Sequence, residues 1–289
     1  MITTRVVLPV VEPVPEHRRR ITVEDVAVST TRRTIVRVPT GGEPASVPDD
    51  LAVEAPLVLG LDGGVLATLM RTPGHDLELA AGWLVVESGV RQSHDIVTLR
   101  GCWEDGTDRV HITLRDGVRP PRPRAFVTSA ACGVCSADVL DLAPLATSAP
   151  HSSGWQVPRE ILAGLPAAMR DRQKNFDRTG AVHAAALADA DGTLGPVRED
   201  VGRHNAVDKV VGRALLDGEL PATDRLLVVS GRVSFEIVQK AVAAGAAGIV
   251  AVSAPSSLAV DLAREYGLLL AGLVRNGRCN VYAGESLVA

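Results

Sequence analysis

The chain is poor in aromatic residues: Phe, Trp and Tyr together make up 3% of its 289 residues. A core without large rings has to be assembled from Ala, Val, Leu and Ile, which suits a sheet covered on both faces by helices. Cysteine is scarce as well. Four residues in a chain of this length make no disulfide framework, and the reading is a protein of a reducing compartment. Positive charge is not in excess, since Lys and Arg number 30 against 34 for Asp and Glu. A net charge of −4 argues against a general nucleic-acid binder. No run of about 18 apolar residues occurs, and the first twenty residues have no apolar signal-type segment, so a cytoplasmic protein without a membrane span is expected. The second half has neither a Gly-x-Gly-x-x-Gly nor a Walker A pattern, so neither common phosphate cradle is present.

What the chain does have is Thr128-Ser-Ala-Ala-Cys132-Gly-Val-Cys135-Ser-Ala. Small side chains leave both sulfurs uncrowded, and Gly133 lets the backbone bend. Upstream runs Arg119-Pro-Pro-Arg-Pro-Arg124, whose prolines favour an extended, semi-rigid arm. A Cys-x-x-Cys pair is a zinc half-site, a dithiol couple or a nucleophilic thiolate that carries a group.

Four segments follow from the pattern. Residues 1–20 read as a loosely ordered tail ending in a basic cluster. Residues 21–118 read as a β-rich unit with one helix. Its strands are expected at Thr34–Val38, Val53–Leu59, Val65–Met70, Ile96–Leu99 and Arg109–Leu114. Asp62-Gly-Gly64 is a hairpin turn, and Asp76 is placed to cap a helix closed by Gly89. Residues 119–150 hold the arm, the cysteine pair and a helical stretch.

Residues 151–289 read as an α/β unit in which Pro158 and Pro166 belong at helix starts. Asn205 is a helix cap there, as is Ser256 or Ser257. The apolar strands include Leu226–Val229 and Gly248–Ser253, and βαβ crossovers predict a parallel sheet.

Charge gathers at the turns of this last unit: Arg198-Glu-Asp200, Gly202-Arg-His-Asn205 with Asp208 and Lys209, Ser230-Gly-Arg-Val-Ser234, and Arg275-Asn-Gly-Arg278. In open α/β sheets ligands bind at the carboxyl ends of the strands, where helix N-termini also point. Ser230, Arg232, Arg203, Lys209, Arg275 and Arg278 are therefore candidate anion ligands. His75, His204 and Asp76 are candidates for acid–base work, each equally a turn or cap residue. Cys102 reads as packing, and Cys279 as a minor candidate thiol. His183 with Cys132 and Cys135 matches the donor types of a zinc deaminase. That chemistry needs His-x-Glu ahead of the cysteines, whereas here His183-Ala-Ala185 follows them, so the proton-shuttling acid is missing and the order reversed.

Seven segments taken together carry a resemblance. They are Asp49–Glu54, Met70-Arg-Thr-Pro-Gly-His-Asp-Leu-Glu-Leu-Ala-Ala-Gly82, Ala131–Cys135, Thr179-Gly-Ala-Val-His183, Arg198-Glu-Asp-Val-Gly-Arg-His-Asn-Ala-Val-Asp-Lys209, Ser230–Glu236 and Arg275–Arg278. From about residue 30 onward the chain resembles the formate dehydrogenase accessory sulfurtransferase family of FdhD type. The resemblance implies a cytidine-deaminase-like, three-layer α/β domain that has lost deaminase chemistry, beside a smaller β-rich domain. It implies a sulfur carrier that takes persulfide sulfur from a cysteine desulfurase. The sulfur passes to the molybdenum of bis(molybdopterin guanine dinucleotide), bound as a substrate, in the service of formate dehydrogenase. Cys132 matches the persulfide-bearing cysteine and Cys135 the second one. Leu273, Val274, Arg275, Asn276, Gly277 and Arg278 match the cofactor-binding segment. A homodimer is implied, with no permanently bound metal. Ser-Ala follows Cys135 where the family pattern has Gly-Lys, and Cys279 stands where an aromatic or aliphatic residue is usual. The rival reading is a chaperone that holds the cofactor, its cysteine pair being a redox clasp or a zinc site.

Overall fold

The computed structural model describes residues 28–104, 106–121, 127–128, 145 and 149–289. The tail, most of the Pro/Arg arm, Arg122, Arg124, Cys132, Cys135 and the helix expected after them lie outside the described residues.

The first half builds two sheets. Strands β1 (Thr30–Arg37) and β2 (Ala45–Ala52) pair as an antiparallel ribbon. Pro48 and two aspartates lie in β2, residue types that are depleted in strands. An edge ribbon tolerates them because one rim of each strand needs no partner. A five-stranded sheet in the order β5-β6-β3-β4-β7 follows. It contains β3 (Ala55–Leu61), β4 (Gly64–Arg71), β5 (Ile96–Glu104), β6 (Thr107–Leu114) and the two-residue β7 (Val127–Thr128). The β3–β4 turn forms where expected: Asp62 (φ 48°) and Gly63 (φ 84°) both take the left-handed conformation that matches strand twist. Helix α1 (Asp76–Glu87) packs against this sheet. Asp76 opens α1 but does not cap it. His75 is the cap residue, in left-handed conformation, while the Asp76 carboxylate accepts from Arg71 Nε at 3.0 Å and Nη2 at 2.7 Å.

The second half builds a six-stranded sheet in the order β13-β12-β11-β10-β8-β9. Its strands are β8 (His183–Ala188), β9 (Arg198–Asp200), β10 (Leu226–Val229), β11 (Gly248–Ala251), β12 (Leu269–Arg275) and β13 (Arg278–Ala283). The helices are α2 (Arg159–Arg170), α3 (Lys174–Thr179), α4 (Arg203–Asp217), α5 (Phe235–Ala244) and α6 (Ser257–Glu265). Alternate residues of the strands face opposite ways. Leu227, Val229, Ile249, Ala251 and Leu270 join α1, α4, α5 and α6 in one core. Leu226, Val228, Val250, Leu269 and Ala271 join Leu162, Leu165 and Met169 of α2 in the other. The sheet is thus the middle of three layers.

The sheet is mixed, not parallel throughout. Only β10, β11 and β12 run parallel; β8, β9 and β13 are antiparallel to their neighbours. The cause is connection length. The Asn276–Gly277 turn between β12 and β13 is far too short for a crossover, which needs a dozen residues or more. Helix α2 runs through Pro166 instead of starting there. Leu162, Leu165, Pro166 and Met169 are all buried, and that packing offsets the missing hydrogen bond.

The two halves are joined where α1 crosses α4. A β-carbon on Gly82 would overlap the carbonyl of Asp208, and one on Gly212 would overlap the carbonyl of Glu78. Ion pairs flank the crossing: Arg198 grips Glu78 with Nη2 to Oε1 at 2.9 Å, and Lys240 pairs with Asp208. Among the described residues, no helix is long and apolar enough to cross a membrane.

Candidate functional site

Strands β10, β11 and β12 end at one edge of the larger sheet, and α5 and α6 begin there. Loop 230–234 leans on the loop after β11: Val233 N–H donates to Ala254 O at 3.3 Å and Ser256 N–H to Val233 O at 2.9 Å. The end of β12 is tied in by Leu273 N–H donating to Ser253 O at 3.1 Å. Helix α4 also starts here. Antiparallel pairing sets the end of β9 (Asp200) beside the start of β8 (His183). A β-carbon on Gly231 would lie 3.4 Å from both His183 Nδ1 and Arg203 Cδ. Three helix N-termini therefore share one edge, each bringing unpaired amides and about half a positive charge. Ser256 spends its hydroxyl on the Ala259 amide of α6, whereas Gly202 and Ser234 make no side-chain cap for α4 and α5.

Arg203, Arg232 and His183 collect at this edge. Arg203 is half-buried, and its Nε is buried without a hydrogen-bond partner. Arg232 is exposed. The His183 imidazole is held below its usual range, first by burial and then by the charges of Arg203, His204 and Arg232; Asp200 opposes them. Beside it, His204 Nε2 lies 2.8 Å from Glu236 Oε2. Burial pushes the Glu236 carboxyl up, but the hydrogen bond and charge of His204, with Lys240 and Arg203, leave it below the ordinary carboxylate range. The edge is thus electropositive, with one neutral imidazole and one acid-paired imidazole. It can hold an anion and exchange a proton with it.

Several candidates occupy other roles. Lys209 is not an anion ligand: it is 1% exposed, and its Nζ lies 2.7 Å from Asp200 Oδ2 and donates to Thr72 O at 2.8 Å. Asp200, fully buried, also accepts from the amides of Thr72 and Gly202 and from Asn205 Nδ2. Asn205, expected to cap α4, lies within it and serves this buried hub and Met70 O; Gly202 is the cap residue. Ser230 is mostly committed, for its Oγ accepts from Ala184 N–H at 2.9 Å and its N–H donates to Ala184 O at 3.0 Å. Only its hydroxyl proton is left for a ligand.

The C-terminal segment divides in two. Val274 is 1% exposed and belongs to the α2-side core, so its side chain is not a ligand. Leu273 takes a left-handed φ of 53° and is half-buried. Arg275, Asn276, Gly277 and Arg278 form an exposed turn that sets two guanidinium groups at the same edge. Cys279 is half-buried against the α2-side core. Cys102 is not core packing: it is half-buried, and its sulfur lies 3.1 Å from His111 Nε2. The partnership of His204 with Glu236 has no sequence signal, because their contact arises only when α4 and α5 begin side by side.

A family model described as the FdhD/NarQ family matches residues 52–289. The chain is similar to a sulfur carrier protein FdhD of Streptomyces coelicolor, 47% identical over 275 residues, covering 90% of this chain and 96% of the relative. It is similar to one of Nocardia farcinica, 46% identical over 264 residues, covering 88% of this chain and 93% of the relative. A solved structure from Desulfotalea psychrophila, described as a formate dehydrogenase accessory protein, shares the fold. Its TM-score is 0.72 at 22% identity, covering 91% of this chain and all of that one.

Proposed function

The chain belongs to the FdhD/NarQ family, and from that premise we propose that it is a sulfur carrier serving formate dehydrogenase. In this reading Cys132 takes sulfur from a cysteine desulfurase and delivers it to bis(molybdopterin guanine dinucleotide), a substrate held at the carboxyl edge of β10–β12. The observation that carries the reading is that edge: three helix N-termini, the partnerless Nε of Arg203, and the exposed Arg232, Arg275 and Arg278 suit the phosphates of a dinucleotide. The deaminase-like label implied by the resemblance is supported by the three layers and by the antiparallel first strand, β8, beside the parallel trio. We take residues 151–289 as the cofactor-holding unit, 21–118 as the β-rich unit, and the protein as a cytoplasmic homodimer.

The transfer balances without an outside oxidant. The Cys132 thiolate attacks the terminal sulfur of the desulfurase persulfide; that S–S bond breaks, and the desulfurase cysteine leaves as a thiolate. Cys135 then attacks Cys132 Sγ, forming a disulfide and releasing hydrosulfide toward molybdenum. A dithiol reductant resets the pair. His183, its ring held neutral by burial and by Arg203, is placed to donate a ring N–H hydrogen bond to an anion at this edge.

The test is maturation of formate dehydrogenase in cells carrying Cys132→Ala. The enzyme is expected to accumulate without activity, while the variant still binds guanosine diphosphate. Full formate dehydrogenase activity in that strain contradicts the assignment. Retained nucleotide binding together with full activity would favour the chaperone reading.

A further inference from the structure

The five-stranded sheet carries a second constellation, well removed in topology from the arginine-lined edge. Strands β5 and β6 pair with Arg100 opposite His111, Cys102 opposite Arg109 and Glu104 opposite Thr107. Directly paired residues share a face, so Cys102, Glu104, Arg109 and His111 stand together. The opposite face sends Leu99, Val110 and Ile112 into the core. On the outer face three different donor atoms converge. His111 Nε2 lies 3.1 Å from Cys102 Sγ and 3.0 Å from Glu104 Oε1, and Cys102 Sγ lies 3.3 Å from the same Oε1.

We propose that Cys102, Glu104 and His111 form a zinc-binding site with one coordination position open to water. Thiolate, imidazole and carboxylate are the three side-chain ligand types of zinc, and three protein ligands with one open position is a recurrent arrangement for it. Zinc bonds of about 2.3 Å to sulfur and 2.0–2.2 Å to nitrogen and oxygen set tetrahedral donors about 3.4–3.6 Å apart. The observed separations fall short of that by about half an ångström or less, a spread that side-chain torsions absorb without moving either strand. Charge agrees as well. A thiolate and a carboxylate neutralise the ion, which tempers repulsion from Arg100 and Arg109 on the same face. Arg109 Nε, buried and without a hydrogen bond, stands 3.7 Å from Glu104 Oε2. It holds that oxygen from outside and leaves Oε1 turned toward the other two donors. The residues come from a short hairpin with one edge strand, so the site is preformed and reachable from solvent.

The experiment uses the full chain with Cys132→Ala and Cys135→Ala, so that the Cys-x-x-Cys pair contributes no thiolate. After chelation and desalting, cobalt(II) is titrated in and followed by thiolate-to-cobalt charge-transfer absorption, then displaced by zinc. One cobalt per chain is expected, with binding weakened by more than about tenfold in His111→Ala and the thiolate band abolished in Cys102→Ser. Cys279→Ser controls for the remaining thiol and is expected to change neither. Circular dichroism and a melting curve accompany each variant; zinc is expected to raise the melting temperature of the parent and not of Cys102→Ser. Substoichiometric cobalt, or a thiolate band that persists in folded Cys102→Ser, overturns the proposal.

Discussion

Gly82 and Gly212 bring α1 and α4 together backbone against backbone, each leaving no room for a β-carbon over the other helix. Through this crossing the β-rich half is fastened to the sheet that forms the candidate site. Charged residues beside it fasten the halves: Arg198 pairs with Glu78, and the Lys209–Asp200 pair holds the backbone of Thr72.

Gly82→Ala and Gly212→Ala are each expected to destabilise the protein by about 3 kcal/mol, because the methyl group meets a carbonyl that only a helix displacement can clear. Urea unfolding measures this. A loss below about 1 kcal/mol would mean that the helices separate easily, contrary to the close crossing.

Lys209→Met leaves Asp200 buried with its charge uncompensated and is expected to cost about 3–5 kcal/mol. Asp200→Asn with Lys209→Met should recover part of that loss, since no lone charge remains. Measured by denaturation, an additive double variant would contradict the pairing. Ligand affinity of whatever folded Lys209→Met survives should match the parent.

Arg203→Ala should leave the melting temperature nearly unchanged, since its Nε satisfies no group of the protein. Affinity for guanosine diphosphate is expected to fall about tenfold or more, the worth of a charge-assisted hydrogen bond. Calorimetry with parent and variant decides it; equal affinities would remove Arg203 from the site.

His183 makes binding depend on pH. Its folded pKa lies below the unfolded value of about 6.5, so the fold favours the neutral ring. Above that pH the group contributes no difference. Below it the unfolded chain takes up a proton that the folded chain resists, and stability falls with pH. A bound anion favours the imidazolium, so affinity should rise as pH drops below about 6.5 relative to His183→Asn, in which the ligand's own titration is the same. Parallel pH profiles for the two proteins would contradict this.

Much of the scaffold was legible because it rests on short-range physics. Asp62-Gly63 demands a left-handed pair, and the unbroken apolar runs Leu226–Val229 and Gly248–Ala251 demand cover on both faces. Strand direction was legible only in part: the short Asn276–Gly277 turn leaves no room for a crossover and so reverses β13, whereas β8 is as apolar as β10 and only the folded connections reveal its reversal. Nor was the fate of Lys209. A lysine in a basic block reads as solvated, yet α4 is clamped between α1 and the sheet, and nearly every side chain from Asn205 to Leu215 is buried. The charged turns placed Arg203 and Arg232 at strand ends, but His183, weighed only as a core or zinc-site histidine, was not expected beside them, and the shared start of α4 beside α5, which pairs His204 with Glu236, needed the tertiary structure.

The central claim is sulfur carriage by Cys132. It is tested most directly by mass spectrometry of the peptide spanning Cys132 and Cys135 after incubation with a cysteine desulfurase and free cysteine. The account predicts a mass gain of one sulfur atom on that peptide, removed by a dithiol and lost in Cys132→Ala. A peptide that stays unmodified, or gains sulfur equally in Cys132→Ala, would contradict it.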